Sequence, residues 1–210
     1  LGPLRLVYHG QPLKFAALPK TLPLLAYLLL NRAKPIPRTT LAFIHWPDVP
    51  EAEARSTLRR HLYELRRVLP ATPADCPWLL VDNNRVQWNP NAAYWCDVAA
   101  FAEAHSSESD LATAVELYTG DLLPELYEDW IFSEREQLRN RFFAMLSQLM
   151  TAARRRGEAT LALHYAQQIL QHDPLREDIL RDLMTLRHAS GDRAGALQEY
   201  QRFAQRLRAE

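Results

Sequence analysis

Cysteine is scarce in this 210-residue sequence, and the two present, Cys76 and Cys96, have no metal-ligand spacing. They read as reduced structural thiols in a cytoplasmic protein. Glycine is scarce as well, and the six glycines build no phosphate-cradling loop. Lysine is confined to Lys14, Lys20 and Lys34. The apolar run at 22–30 has nine residues, far short of the roughly 20 a membrane helix needs. No signal peptide is visible. The seven histidines are dispersed, and none pairs with a glycine-framed serine or a metal spacing. These absences argue against an enzyme, a metal site, a bound cofactor and a membrane protein.

The chain is 48% hydrophobic and 24% charged, enough apolar residues for one large or two ordinary domains. Its formal net charge of zero hides an asymmetry. Residues 1–100 hold three lysines and nine arginines against seven acids, a net of +5. Residues 101–210 hold thirteen arginines against eighteen acids, a net of −5. A basic module fused to an acidic one is the simplest reading. Basic surfaces attract phosphate backbones through counterion release, whereas acidic helical modules more often meet protein.

In the basic half, Leu4, Leu6 and Tyr8 alternate with other residues up to His9 and Gly10, and Leu13 and Phe15 alternate after them. This predicts two short antiparallel strands around a turn at Gly10. Residues 20–31 carry leucines at helical spacing until Pro35 and Pro37 impose a stiff turn. Residues 38–46 predict a second helix that stops before Pro47, and 49–52 turn the chain. In 55–69, Leu58, Leu62, Leu65 and Leu69 recur at spacings of four, three and four, one face of a helix. Ser56, Arg60, Tyr63 and Arg67 then fall on the far side, with Arg55, Arg59 and Arg66 on a flank. Two strands, 78–81 and 85–88, follow around Asp82, Asn83 and Asn84, residues that tolerate a tight hairpin. The order is strands, three helices, hairpin: a winged helix with an N-terminal sheet, placed at 1–96.

From Asp97, an expected N-cap, the pattern is helical to 210. A long helix is predicted over 128–156. Gly157 and Gly191, Ala162 and Ala196, and Leu163 and Leu197 are each 34 residues apart, the tetratricopeptide period. Residues 97–210 therefore read as a small all-α, tetratricopeptide-like array whose alanines and leucines pack at helix crossings.

Arginine grips phosphate and the guanine edge with a planar fork. The candidate base or near-base contacts are Ser56, Arg59, Arg60 and Tyr63. The candidate phosphate contacts are Arg55, Thr57, Arg66, Arg67 and Trp46, although Trp46 reads more readily as core. Asn83, Asn84 and Arg85 are either a wing on the minor groove or a polar hairpin tip. Lys34 and Arg38 flank the turn into the second helix and could clamp a backbone.

The first half, through 38–46, 55–69 and 78–88, resembles the OmpR-type winged helix. The second half carries Tyr118, Gly120, Leu123, Trp130, Arg135 and Leu138, then Asp173, Pro174, Leu175 and Glu177, and Gly191, Asp192, Ala196 and Tyr200. That string resembles the bacterial transcriptional activation domain. The pair in this order is similar to the SARP-type activators. The resemblance implies an activator that sits on tandem direct repeats of double-stranded DNA and contacts RNA polymerase; the acidic half could be a structural cap, a partner groove or the surface of a homodimer on DNA. One departure is that the family's leucine-tryptophan before the recognition helix is His45 and Trp46 here. The start at Leu1 without methionine and the end at Glu210 within the array suggest a segment of a larger regulator, with an ATPase or sensor downstream. Two competing readings remain: a protein-interaction adaptor or output segment whose winged helix does not bind DNA, and, more weakly, an RNA binder, for which no strand offers a stacking platform.

Overall fold

The computed structural model describes residues 1–105 and 107–209; Glu210, the last residue of the expected array, lies outside them. The structure is mostly helical, with small sheets. It divides into two compact units. One comprises Leu1–Ala99 and Asp121–Glu134, the other 100–120 and 135–209.

In the first unit β1 (Val7–Tyr8) pairs antiparallel with β2 (Gln11–Pro12). His9 and Gly10 turn the chain between them with φ of 50° and 76°. The regular strands have two residues on each side, all four exposed, and one step further the Leu13 N–H donates to the Leu6 carbonyl at 2.8 Å, so the pairing reaches the alternating leucines. Helix α1 (Thr21–Leu30) buries Leu24, Leu25 and Leu28. The two prolines after it do more than stiffen a turn. Ile36 and Pro37 form β3, which pairs with β5 (Arg85–Trp88), while β5 also pairs with β4 (Leu79–Val81). The hairpin is thus part of a three-stranded sheet of order β3-β5-β4. Proline is tolerated because β3 is an edge strand, where the N–H it lacks is not needed. Trp78 falls just outside β4; its indole donates to the Pro70 carbonyl at 2.8 Å and its ring stacks on Trp88 at 5.7 Å.

Helix α2 (Arg38–His45) and helix α3 (Glu51–Val68) close the core. Leu24, Leu28, Leu41, Leu58, Leu65, Leu79 and Val86 are buried in one cluster. Helix α3 begins at Glu51, in the segment expected to turn, because Pro50 is a compatible flank and Glu51 and Glu53 favour the first turn of a helix. The chain also returns to this unit late. Trp130, near the start of α6 (Asp129–Arg155), meets Tyr27 edge-on at 5.2 Å and His45 at 6.3 Å.

The second unit includes most of α4 (Asp97–Glu103), α5 (Glu108–Glu116), the rest of α6, α7 (Ala159–His172), α8 (Glu177–Ala189) and α9 (Arg193–Ala209). Ser107 caps α5 by accepting the Asp110 N–H at 3.2 Å. Tyr118 stacks on Phe142 at 4.2 Å, and His172 meets Phe142 edge-on at 5.0 Å. Gly157 and Gly191 open α7 and α9 with φ of 76° and 84°, a left-handed conformation repeated at the 34-residue spacing. Ala162 and Ala196 are buried, as the repeat suggested. Leu197 departs from that pattern: it is 57% exposed, because Ala196 and Phe203 carry the buried side of α9. No helix among the described residues is long and apolar enough to cross a membrane.

Candidate nucleic-acid interface

Helix α3 has two chemically opposite faces. Ala54, Leu58, His61, Leu62 and Leu65 are buried against the core. Leu69 lies one residue past the helix and is half-buried. On the other faces Arg55, Ser56, Arg59, Arg60, Tyr63, Arg66 and Arg67 are exposed, and Thr57 is half-buried. Tyr63, an aromatic ring 67% open to solvent, is held there by the same helix that buries the leucines. His61 belongs to the buried face, a placement the leucine spacing alone did not reveal. Its Nδ1 lies 2.8 Å from the Thr21 hydroxyl. Burial, with the charge of Arg60 beside it, pushes its pKa down.

The arginines differ in their company. Arg55 pairs with Glu51 at 3.4 Å and Arg67 with Glu64 at 2.8 Å, one turn along the helix in each case. Arg59, Arg60 and Arg66 have no acid partner among the described residues. Exposed pairs of the first kind contribute little and exchange readily for another anion.

The β4–β5 tip brings Asn83, Asn84 and Arg85 to the surface, all exposed. Its shape comes from Asp82, whose Oδ1 accepts the N–H of Asn84 at 2.6 Å and of Arg85 at 2.7 Å. Those two bonds hold the Asp82 carboxyl below the usual carboxylate range. Arg38 joins this tip to α2. Its N–H donates to the Asn84 carbonyl at 2.8 Å and its Nη1 to the Asp82 carbonyl at 3.1 Å.

Trp46 is half-buried and packs against the core, with its ring 5.0 Å from His61 and 5.7 Å from His45. It also lines a shallow pocket of about 320 Å³ with Phe43 and Val49. Next to it, His45 is fully buried, and neither ring nitrogen has a hydrogen-bond partner among the described residues. Burial, then the charges of Lys20 and His61, push its pKa down to about 4. The imidazole is therefore neutral at ordinary pH, occupying a core position among Tyr27, Trp46 and Trp130.

Guanidinium groups on a convex helix, two amide side chains at a hairpin tip and one exposed phenol form a surface suited to a long anionic ligand. Guanidinium and amide N–H groups are donors that match the oxygens of such a ligand. The profile of the bacterial transcriptional activator domain family matches residues 97–210, more than half of the chain. The chain belongs to that family. It is 25% identical to the transcriptional regulatory protein MoaR1 of Mycobacterium bovis and of Mycobacterium tuberculosis, matching 99% of this chain and 71% of each relative. In fold it resembles a solved structure of Mycobacterium tuberculosis EmbR in complex with a low-affinity phosphopeptide, with a TM-score of 0.74 at 22% identity. That match takes in the whole of this chain, which spans 59% of the EmbR chain. These relationships point to transcriptional regulation rather than to enzymatic turnover.

Within the activator-domain span, Tyr118 and Leu138 are buried and Trp130 half-buried, so these quoted residues are packing positions. Tyr200, by contrast, is 52% exposed. Arg38 is the residue whose placement the sequence revealed least. Only the pairing of β3 with β5 brings it to the hairpin tip, and a two-residue strand ending in proline gives no period-2 signal.

Proposed function

We propose that residues 1–96 are an OmpR-type winged helix that binds double-stranded DNA in a sequence-specific manner. Helix α3 enters the major groove. Ser56, Arg59, Arg60 and Tyr63 reach base edges, while Arg55, Thr57, Arg66, Arg67 and Trp46 hold phosphates. Asn83, Asn84 and Arg85 form the wing. Phosphate contacts set the register and base contacts the sequence. Residues 97–210, a tetratricopeptide-like activation domain, order copies on tandem direct repeats as a homodimer and contact RNA polymerase, making the protein an activator.

The observation that carries this reading is the two-sided character of α3. A buried leucine seam fixes the helix, and the opposite side presents three arginines without acid partners among the described residues. Selection of bound fragments from random duplexes by the intact chain tests it, followed by affinity measurements against salt. The expected result is an enriched motif in repeated copies, with log affinity falling by about 0.9 per phosphate contact for each unit of log salt. No enrichment together with a flat salt response sinks the proposal and leaves the protein-interaction adaptor.

A further inference from the structure

Charge in this chain is laid down in blocks. Residues 1–47 hold six lysines and arginines and no acid, whereas 97–134 hold ten acids and no lysine or arginine. Both blocks contribute to the first unit, the second chiefly through 121–134. Along 121–134 the chain intersperses anchors with presented side chains. Leu122, Leu123, Leu126 and Ile131 are buried, the Leu123 N–H donates to the Gly2 carbonyl at 2.9 Å, and Trp130 meets Tyr27 at 5.2 Å. Between those anchors Glu125 and Asp129 are exposed, and the Tyr127 ring is 78% open to solvent. An open aromatic ring among carboxylates on an anchored segment has the make-up of half an interface. The ring supplies contact area, and the acids set the sign of the partner.

A matching half lies on the same unit. The β1–β2 hairpin is flanked by Arg5 and Lys14, both exposed, and opens Val7 and Tyr8 to solvent. No ion pair engages Arg5, Lys14, Glu125 or Asp129 among the described residues. Neither half is therefore neutralised within one copy. A two-stranded hairpin is marginal by itself, so this one gains from a cover. We propose that the β1–β2 hairpin of one copy docks on 121–134 of the next, a head-to-tail contact between copies of this chain. The inference rests on the tandem-repeat part of the function proposed above and names the surfaces that meet. Copies on direct repeats all point the same way along the duplex, so neighbours meet through two different surfaces rather than one self-complementary patch. A basic hairpin and an acidic segment satisfy that requirement. They also bar the wrong pairings, since hairpin on hairpin and segment on segment both repel.

The test uses the intact chain on duplexes carrying one or two copies of the enriched motif, each variant compared with its own single-motif affinity. Wild type should bind the second motif roughly 5–150-fold more tightly than the first, the usual range of coupling between sites. Arg5→Glu with Lys14→Glu should abolish that gain, and Glu125→Lys with Asp129→Lys should abolish it too. All four substitutions in one chain exchange the signs of the two surfaces and should restore the gain. A misfolded hairpin would not be rescued in this way. A gain that survives both reversals overturns the contact and leaves DNA binding intact. Loss in both reversals without rescue in the fourfold variant also overturns it, because the two surfaces then do not meet each other. Wild type that binds the single motif with no gain on two overturns it as well, again leaving DNA binding intact. A chain that binds neither duplex removes the DNA-binding reading itself.

Discussion

Two arginines on the same side of α3, two turns apart, carry different expectations because their surroundings differ. Arg60 has no acid partner among the described residues, whereas Arg67 is paired with Glu64 at 2.8 Å. Arg60→Ala should weaken binding to the preferred duplex more than to random DNA, by about 1–3 kcal/mol of discrimination. Arg67→Ala should weaken both to the same, smaller extent. Equal losses for both substitutions on both DNAs would reassign these roles. His45 makes a prediction about acid. Its folded pKa of about 4 lies below the unfolded value of 6.5. Between those values the unfolded chain takes up a proton that the folded chain does not. The stability contributed by neutral His45 is thus complete above about pH 6.5 and declines as pH falls toward 4, by about 3 kcal/mol in all. Urea unfolding at stepped pH should show a shallower decline for His45→Leu than for wild type. Parallel curves for the two proteins would mean that His45 protonates freely in the fold.

Among the elements, α3 was the most legible in the sequence. Three of its four seam leucines are buried as the spacing required, and the residues placed on the opposite side are exposed. Leu58 is wholly buried, and Leu58→Ala should lower the unfolding free energy by about 2–5 kcal/mol. Chemical denaturation measures this directly, and an unchanged midpoint would put the seam on the wrong side of the helix. The start of α3 was less legible. Periodicity marks a helix only where apolar residues recur, and residues 51–53 are two glutamates around an alanine. Strand β3 was invisible for a related reason: two residues are too few to alternate, and its partner lies nearly fifty positions away. The turn at His9 and Gly10 was readable because glycine tolerates positive φ, and the arms beside it pair as far as the Leu13 N–H on the Leu6 carbonyl. In the candidate site, the exposure of the arginines was legible. Their partners were not, because Glu51 and Glu64 become neighbours only once the helix turns.

For the whole molecule, the family match and the packing divide the chain differently. The activator-domain match begins at residue 97, yet Asp121–Glu134 packs with the first unit. Trp130 is its anchor there, edge-on to Tyr27 at 5.2 Å. Trp130→Ala should therefore destabilise the first unit by about 3 kcal/mol, the low end for a large aromatic because the ring is half-buried. Hydrogen exchange on the intact chain should report faster amides in α1 and α2. Exchange confined to the second unit would mean that Trp130 does not support the first. The same arrangement has a consequence for synthesis. Domains usually fold as they emerge, N-terminal first. Here the first unit lacks Trp130 and Ile131 until the chain beyond Glu134 has cleared the ribosome. Until then the edges of Tyr27 and His45 that Trp130 meets stay open, through the translation of some twenty residues assigned elsewhere, 100–120. During that interval the emerging polypeptide is a natural client for a chaperone, and the pace of translation across 100–134 becomes a determinant of yield.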